Sequence, residues 1–125
     1  MQPENPELAP PRDDPFTVEQ LKEFDGSDES KPIYVAIKRT IFDVTRKGDV
    51  YGAGKSYNIF AGKDGSRGLG KSSLKTEDAV WDYTTLDASE MKVLDDWHSF
   101  FSKRYNIVGK VVGLPDIDEQ SQSKI

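Results

Sequence analysis

Apolar positions are sparse before Phe16 and then fall into patches of recognisable period. Thr17 precedes Gln20 by the spacing of a capping box, with Glu19 in the first turn. Phe16, Leu21 and Phe24 are placed to pack inward and Gly26 to end the segment, so a short helix is expected here. Ile33–Ile37 and Thr40–Val44 are β-branched and aromatic runs separated by Lys38-Arg39 alone. They predict a hairpin, although its turn lacks the usual Gly or Asn. Asp87 and Glu90 form a second capping box. Met91, Leu94, Trp97 or His98, Phe101 and Tyr105 then recur at three- and four-residue steps, one apolar face over nearly five helical turns. Ile107, Val108, Val111 and Val112 read as a last strand, stopped by Pro115. Between hairpin and long helix the pattern is broken. Ser56 is a candidate cap for a turn over 57–61, Asp64 for another through Arg67 and Leu69, and Thr76 for a weak helix carrying Val80 and Trp81. The order of elements is that of an α+β domain with few strands and a helical insertion that forms a pocket.

Composition sets the limits of that domain. Residues 1–14 hold four prolines and four acids with little to bury, and residues 115–125 are mostly Asp, Glu, Gln and Ser. Both read as tails, leaving 15–114 as one domain with a modest core. Cysteine is absent, which excludes disulfides, thiolate catalysis and cysteine-ligated metals. No apolar run approaches the ~20 residues of a membrane span, and no signal peptide opens the chain. The net charge of −5 conceals a segregation. Lys38 to Lys75 carries nine Lys or Arg against three Asp, net +6; Thr76 to Tyr105 carries seven acids against three bases, net −4. A basic loop beside an acidic helix is suited to an anionic ligand. The acidic total and the lack of any nucleic-acid motif argue against DNA or RNA.

The candidate chemistry lies in Asp49–Leu69, which contains Gly52, Gly54, Gly62, Gly65 and Gly68 and two tyrosines six residues apart. Glycine at this density lets a backbone turn tightly or approach a flat ligand. Gly65 to Ser72 matches the phosphate-cradling loop literally, but that mechanism needs a buried parallel strand before the loop and a good helix after it. The flanking residues provide neither pattern. His98 is the single histidine and sits beside Trp97, a poor basis for a metal or hydrolase site. Asp95-Asp96 and Glu77-Asp78 are adjacent pairs that diverge by about 100° on a helix and cannot face one site. No catalytic constellation emerges, so a non-enzyme is expected. Tyr51 and Tyr57 remain. A phenolate is an axial haem ligand in some proteins, and a second phenol can tune it by donating a hydrogen bond.

Tyr51-Gly52-x-Gly54-x-x-Tyr57-x-x-Phe60-Ala61-Gly62-x-Asp64-x-Ser66-Arg67-Gly68-Leu69 resembles the membrane-associated progesterone receptor component family, including its fungal damage-response haem proteins. The similarity extends upstream through Ile41–Thr45 and downstream to Leu94-x-x-Trp97 and Tyr105-x-x-Val108-Gly109-Lys110. It implies a cytochrome b5-like fold, a small mixed sheet with helices forming a haem pocket. It implies haem b bound non-covalently, with Tyr57 as the axial iron ligand and Tyr51 as its hydrogen-bond partner. Asp64 falls on an acid of the loop after the ligand, and Arg104 and Tyr105 on residues near the haem carboxylates. Here Ala53 stands at a position where proline is common, and Lys55-Ser56 replaces Gly-Pro. The implied partners are sterol-synthesising haem monooxygenases (CYP enzymes) at the cytosolic face of the endoplasmic reticulum membrane, reached through an anchor outside this chain, and a haem-dependent homodimer. A cytoplasmic location, a haem chaperone or electron carrier on the same site, and an anion- or nucleotide-binding module using the basic loop are the alternatives.

Overall fold

A computed structural model describes residues 10–114. The proposed tail at 115–125, and residues 1–9 of the tail proposed at 1–14, lie outside the described residues. The hairpin forms as expected: β2 (Tyr34–Ile37) runs antiparallel to β3 (Thr40–Asp43), with Ile37 opposite Thr40. Its two turn residues, Lys38 and Arg39, have φ of 50° and 68°. Both are left-handed, as a two-residue turn matching strand twist requires. That conformation costs about 1–2 kcal/mol for each ordinary side chain. It is offset from outside the hairpin. The Arg39 amide donates to Asp64 Oδ2 at 2.7 Å and the Lys38 amide to Ser66 Oγ at 2.8 Å. A hydrogen bond to a charged acceptor contributes about 1.5–3 kcal/mol and a neutral one about 1, enough to hold the turn without glycine.

The last strand, β4 (Asn106–Val111), pairs antiparallel with β3, with an irregularity at Ile41/Phe42. Val112 lies just beyond it. A strand that the sequence did not announce, β1 (Asp14–Phe16), adds in parallel to the outer edge of β4, giving the order β1-β4-β3-β2. Asp14 was expected in the tail and Pro15-Phe16 at a helix start. Instead the ordered edge reaches back to Arg12, whose amide donates to the Ile107 carbonyl at 2.9 Å. Three residues carry too short a pattern to read, and Pro15, lacking an amide hydrogen, suits an edge strand. Gly109 admits this edge: a Cβ there would stand 2.4 Å from the Asp14 carbonyl oxygen.

The sheet divides the core in two. Val35, Ile37, Phe42 and Val44 face the glycine-rich segment and the long helix; Tyr34, Ala36, Ile41, Val108 and Val111 face Leu21, Phe16 and Phe24. Alternation along each strand produces this split. The first helix, α1 (Val18–Lys22), and the long helix, here α4 (Ala88–Arg104), both open on the expected capping boxes. Leu94 and Phe101 of α4 are fully buried against the sheet, and burying each such side chain contributes about 1.5–3 kcal/mol.

The middle departs from expectation in detail. Two short helices, α2 (Gly48–Tyr51) and α3 (Ser66–Lys71), bracket a 3₁₀ turn at Asn58–Phe60. Ser56 is exposed and caps nothing. Thr76 opens a 3₁₀ turn, Thr76–Asp78, not a helix reaching Trp81. Four charged or β-branched residues in a six-residue stretch have too little helix propensity to extend it.

Candidate functional site

Tyr51 closes α2, and the chain then needs glycine. A Cβ on Gly52 would meet the Gly48 carbonyl oxygen at 2.4 Å, and Gly54 has φ of 78°. These two residues turn the backbone so that the Tyr57 amide reaches the Val50 carbonyl at 3.0 Å. Asn58 locks the return: its side-chain amide donates to the Tyr51 and Asp25 carbonyls, each at 2.9 Å. The result is a Tyr51–Tyr57 pair with ring centroids 6.0 Å apart and planes at 66°. Asn58 was not singled out from sequence. Its role is visible only once the loop folds back.

Tyr51 is buried, with 6% exposure, while Tyr57 is half-buried at the surface side. Neither phenol oxygen hydrogen-bonds to another described residue. Burial holds the Tyr51 phenol well above its ordinary pKa, and neighbouring Tyr105 and Tyr57 push the same way. Tyr51 is therefore a neutral donor at any physiological pH. Tyr57 forms one wall of a cleft of about 310 Å³ shared with Phe60, Leu69, Ser72, Ser73, Leu74 and Trp97. That is the lower end of small-molecule pocket volumes, about 300–1,000 Å³. Beyond Trp97, a second hollow of about 270 Å³ is lined by Val93, Asp96 and Phe100. Trp97, Phe60 and Leu69 were read from sequence as motif or helix-face residues; their shared cleft comes from α3 packing against α4.

The other sequence-predicted residues divide. Tyr105 joins the tyrosine pair from the core side: it packs on Phe101 at 4.9 Å, and Phe101 in turn touches Tyr51 at 6.1 Å. The Arg46 guanidinium lies over the Tyr105 ring at 5.1 Å. Arg104 is buried, its guanidinium 3.9 Å from the Phe100 ring centroid and donating to the Phe100 carbonyl at 3.2 Å. Asp64 is elsewhere. Its carboxylate accepts from the Arg39 and Ser66 amides and the Ser66 hydroxyl, and it lines a separate cavity. It ties the hairpin turn to α3.

That knot also bears on the anion reading. The segment matching a phosphate loop is α3 itself, and its first amide already serves Asp64. Two pairs cross between the basic and acidic segments: Lys38 with Asp95 at 3.0 Å, and Arg67 with Asp82 at 3.6 Å. His98 faces the hairpin, with Nε2 3.1 Å from Thr40 Oγ1 and its ring edge-on to Phe42. Burial and Lys38 lower its pKa. Among the described residues no cluster of three His, Asp or Glu could hold a metal ion, and no helix is long and apolar enough to cross a membrane.

Comparison with known proteins agrees with this architecture. A family model described as the cytochrome b5-like heme/steroid binding domain matches residues 17–112. "Probable steroid-binding protein 3" of Arabidopsis thaliana is 50% identical over 97 residues, covering 78% of this chain and 97% of that protein. "Membrane steroid-binding protein 1" of the same plant is 46% identical over 96 residues, 77% of this chain but 44% of the relative. A solved Arabidopsis thaliana structure described as having a cytochrome b5 like fold superposes with a TM-score of 0.74 at 49% identity, covering 80% of this chain and 92% of that one. The residues matched contain the whole sheet beyond β1, both tyrosines and the cleft, and the chain belongs to the membrane-associated progesterone receptor component family of cytochrome b5-like haem/steroid-binding domains.

Proposed function

We propose that this domain binds haem b without a covalent link, using the Tyr57 oxygen as its protein ligand to iron. The observation that carries the reading is the tyrosine pair: two phenols without a hydrogen-bond partner among the described residues, Tyr51 with its ring buried and Tyr57 at the wall of the cleft. The donor set suits haem chemically, because ferric iron favours an anionic oxygen and lowers the pKa of a coordinated phenol. When bound, haem would supply a flat apolar ring and a redox-active iron. Tyr51, kept protonated by burial, donates to the Tyr57 oxygen and draws charge from it. Phe60, Leu69 and Trp97 exclude water from the ring. Tyr105 supports Tyr51 through Phe101, and Arg104, from the same end of α4, would supply the guanidinium for a haem carboxylate.

The role proposed here rests on the family likeness. With no acid–base or nucleophile constellation at the cleft, the domain acts by binding, as a regulator or support of sterol-synthesising haem monooxygenases. Membrane names among the relatives support a location at a membrane, which in this reading is the cytosolic face of the endoplasmic reticulum. The apolar rim at Leu74, which is 54% exposed, favours contacts, including a haem-dependent homodimer. A hemin titration tests the core of the reading. The wild-type chain should develop a Soret band at one equivalent, and Tyr57→Phe, which keeps the ring but not the oxygen, should lose most of it. An unchanged spectrum and affinity in Tyr57→Phe would sink the assignment, and saturable ATP binding in place of hemin would support the anion module instead.

A further inference from the structure

Between α1, the end of β4 and the segment around Asp64 and Trp81 lies a separate cavity of about 190 Å³ that shares no lining residue with the tyrosine cleft. Val18 and Leu21 of α1, Val111 at the end of β4, and Trp81 from the loop after Thr76–Asp78 supply a mostly apolar wall. An apolar cavity of about 150 Å³ in another protein stays dry and accepts benzene. This one therefore has room for a six-membered ring with one small substituent.

Asp64 supplies the polar character of that wall. An ionised carboxylate offers about four acceptor positions. Three are taken: Oδ2 by the Arg39 amide, and Oδ1 by the Ser66 amide and hydroxyl. One position on Oδ2 remains, and only a donor can use it. Lys63 also borders the cavity but is partly exposed, whereas Asp64 is buried, so a ligand carboxylate would meet the Asp64 charge at the buried wall.

We propose that this cavity is a second ligand site, for a compact alicyclic or aromatic alcohol, with the ring against Val18, Leu21, Val111 and Trp81 and the hydroxyl donating to Asp64. It is independent of the haem reading, because it shares no lining residue with the Tyr57 cleft. Its ligand is recognised by one hydrogen bond and shape.

The test uses three probes of one ring size on the full chain: cyclohexanol, cyclohexanone and cyclohexanecarboxylate. Titration is followed by amide and indole NMR shifts, with Trp97→Phe assigning the Trp81 indole. Cyclohexanol should bind with a millimolar Kd and move signals of 18–21, Trp81 and 111–114. The ketone, which cannot donate, should bind about tenfold more weakly, a factor expected from one hydrogen bond to a charged acceptor. Val18→Phe, which fills the cavity and leaves Asp64 in place, should abolish the shifts while retaining the wild-type urea midpoint. Equal binding of alcohol and ketone, preference for the carboxylate, or shifts centred on Tyr57 and Trp97 would each overturn the proposal.

Discussion

Replacing Asp64 by Asn removes a buried ionisable group from the point where hairpin turn and α3 are tied. Burial pushes its carboxyl from 3.8 up to about 6, against the pull of the Ser66 and Arg39 hydrogen bonds and the Arg39 charge. Desolvation thus outweighs every favourable contact of the ionised form. The folded pKa lies above the unfolded one, so between pH 3.8 and about 6 the folded chain binds more protons at this site than the unfolded chain. Its contribution to stability is full below the unfolded pKa and is lost as pH rises through the folded one. A shift of about two units corresponds to about 3 kcal/mol. Asp25, Asp28, Asp82 and Asp87 are shifted the other way by their Ser, Thr and backbone donors, so the wild-type profile alone mixes opposite signs. The difference between wild type and Asp64→Asn isolates the one site. Urea unfolding of the haem-free proteins, measured from pH 3.5 to 7.5, should show wild type losing about 3 kcal/mol relative to the variant as pH rises. A flat difference, or one of opposite slope, would refute the balance assigned to Asp64.

Two further outcomes test the tyrosine site. Tyr51→Phe should keep haem but bind it more weakly, and its reduction potential should fall further below wild type, because an undamped phenolate favours ferric iron; spectroelectrochemical titration reads this, and a clear rise would remove Tyr51 as donor. His98→Ala should leave haem content unchanged, since its ring bonds to Thr40 and packs on Phe42 away from the cleft; loss of the Soret band in a folded variant would contradict that placement.

Capping boxes and periodicity made α1, α4 and the hairpin legible, because these signals are local and written in consecutive residues. The tyrosine pair was legible as a motif. Its geometry was not, since Asn58 and the Tyr57–Val50 bond act across a fold-back whose direction no residue encodes alone. Strand β1 was hidden for a related reason: its partner is ninety-odd residues away, as the pairing of Asp14 with Gly109 shows, and that partner is a glycine with no side chain to read. Asp64 was assigned by resemblance to the cofactor. Its three donors come from the hairpin turn and from α3, contacts visible only in three dimensions.

The Lys38-Arg39 turn bears on the order of folding. A two-residue turn of Asn-Gly closes a hairpin in microseconds by itself; this one is held shut by Ser66 and Asp64, 28 and 25 residues downstream. Closing that longer loop must come before the strands gain their register, which places the hairpin late and leaves α4 as the better early nucleus. On the ribosome, β2 and β3 emerge well before the residues that fasten them. Asn-Gly in place of Lys38-Arg39 should therefore slow unfolding in stopped-flow measurements more than it raises the refolding rate, whereas a faster refolding limb with unfolding unchanged would mean the turn closes at or before the rate-limiting step.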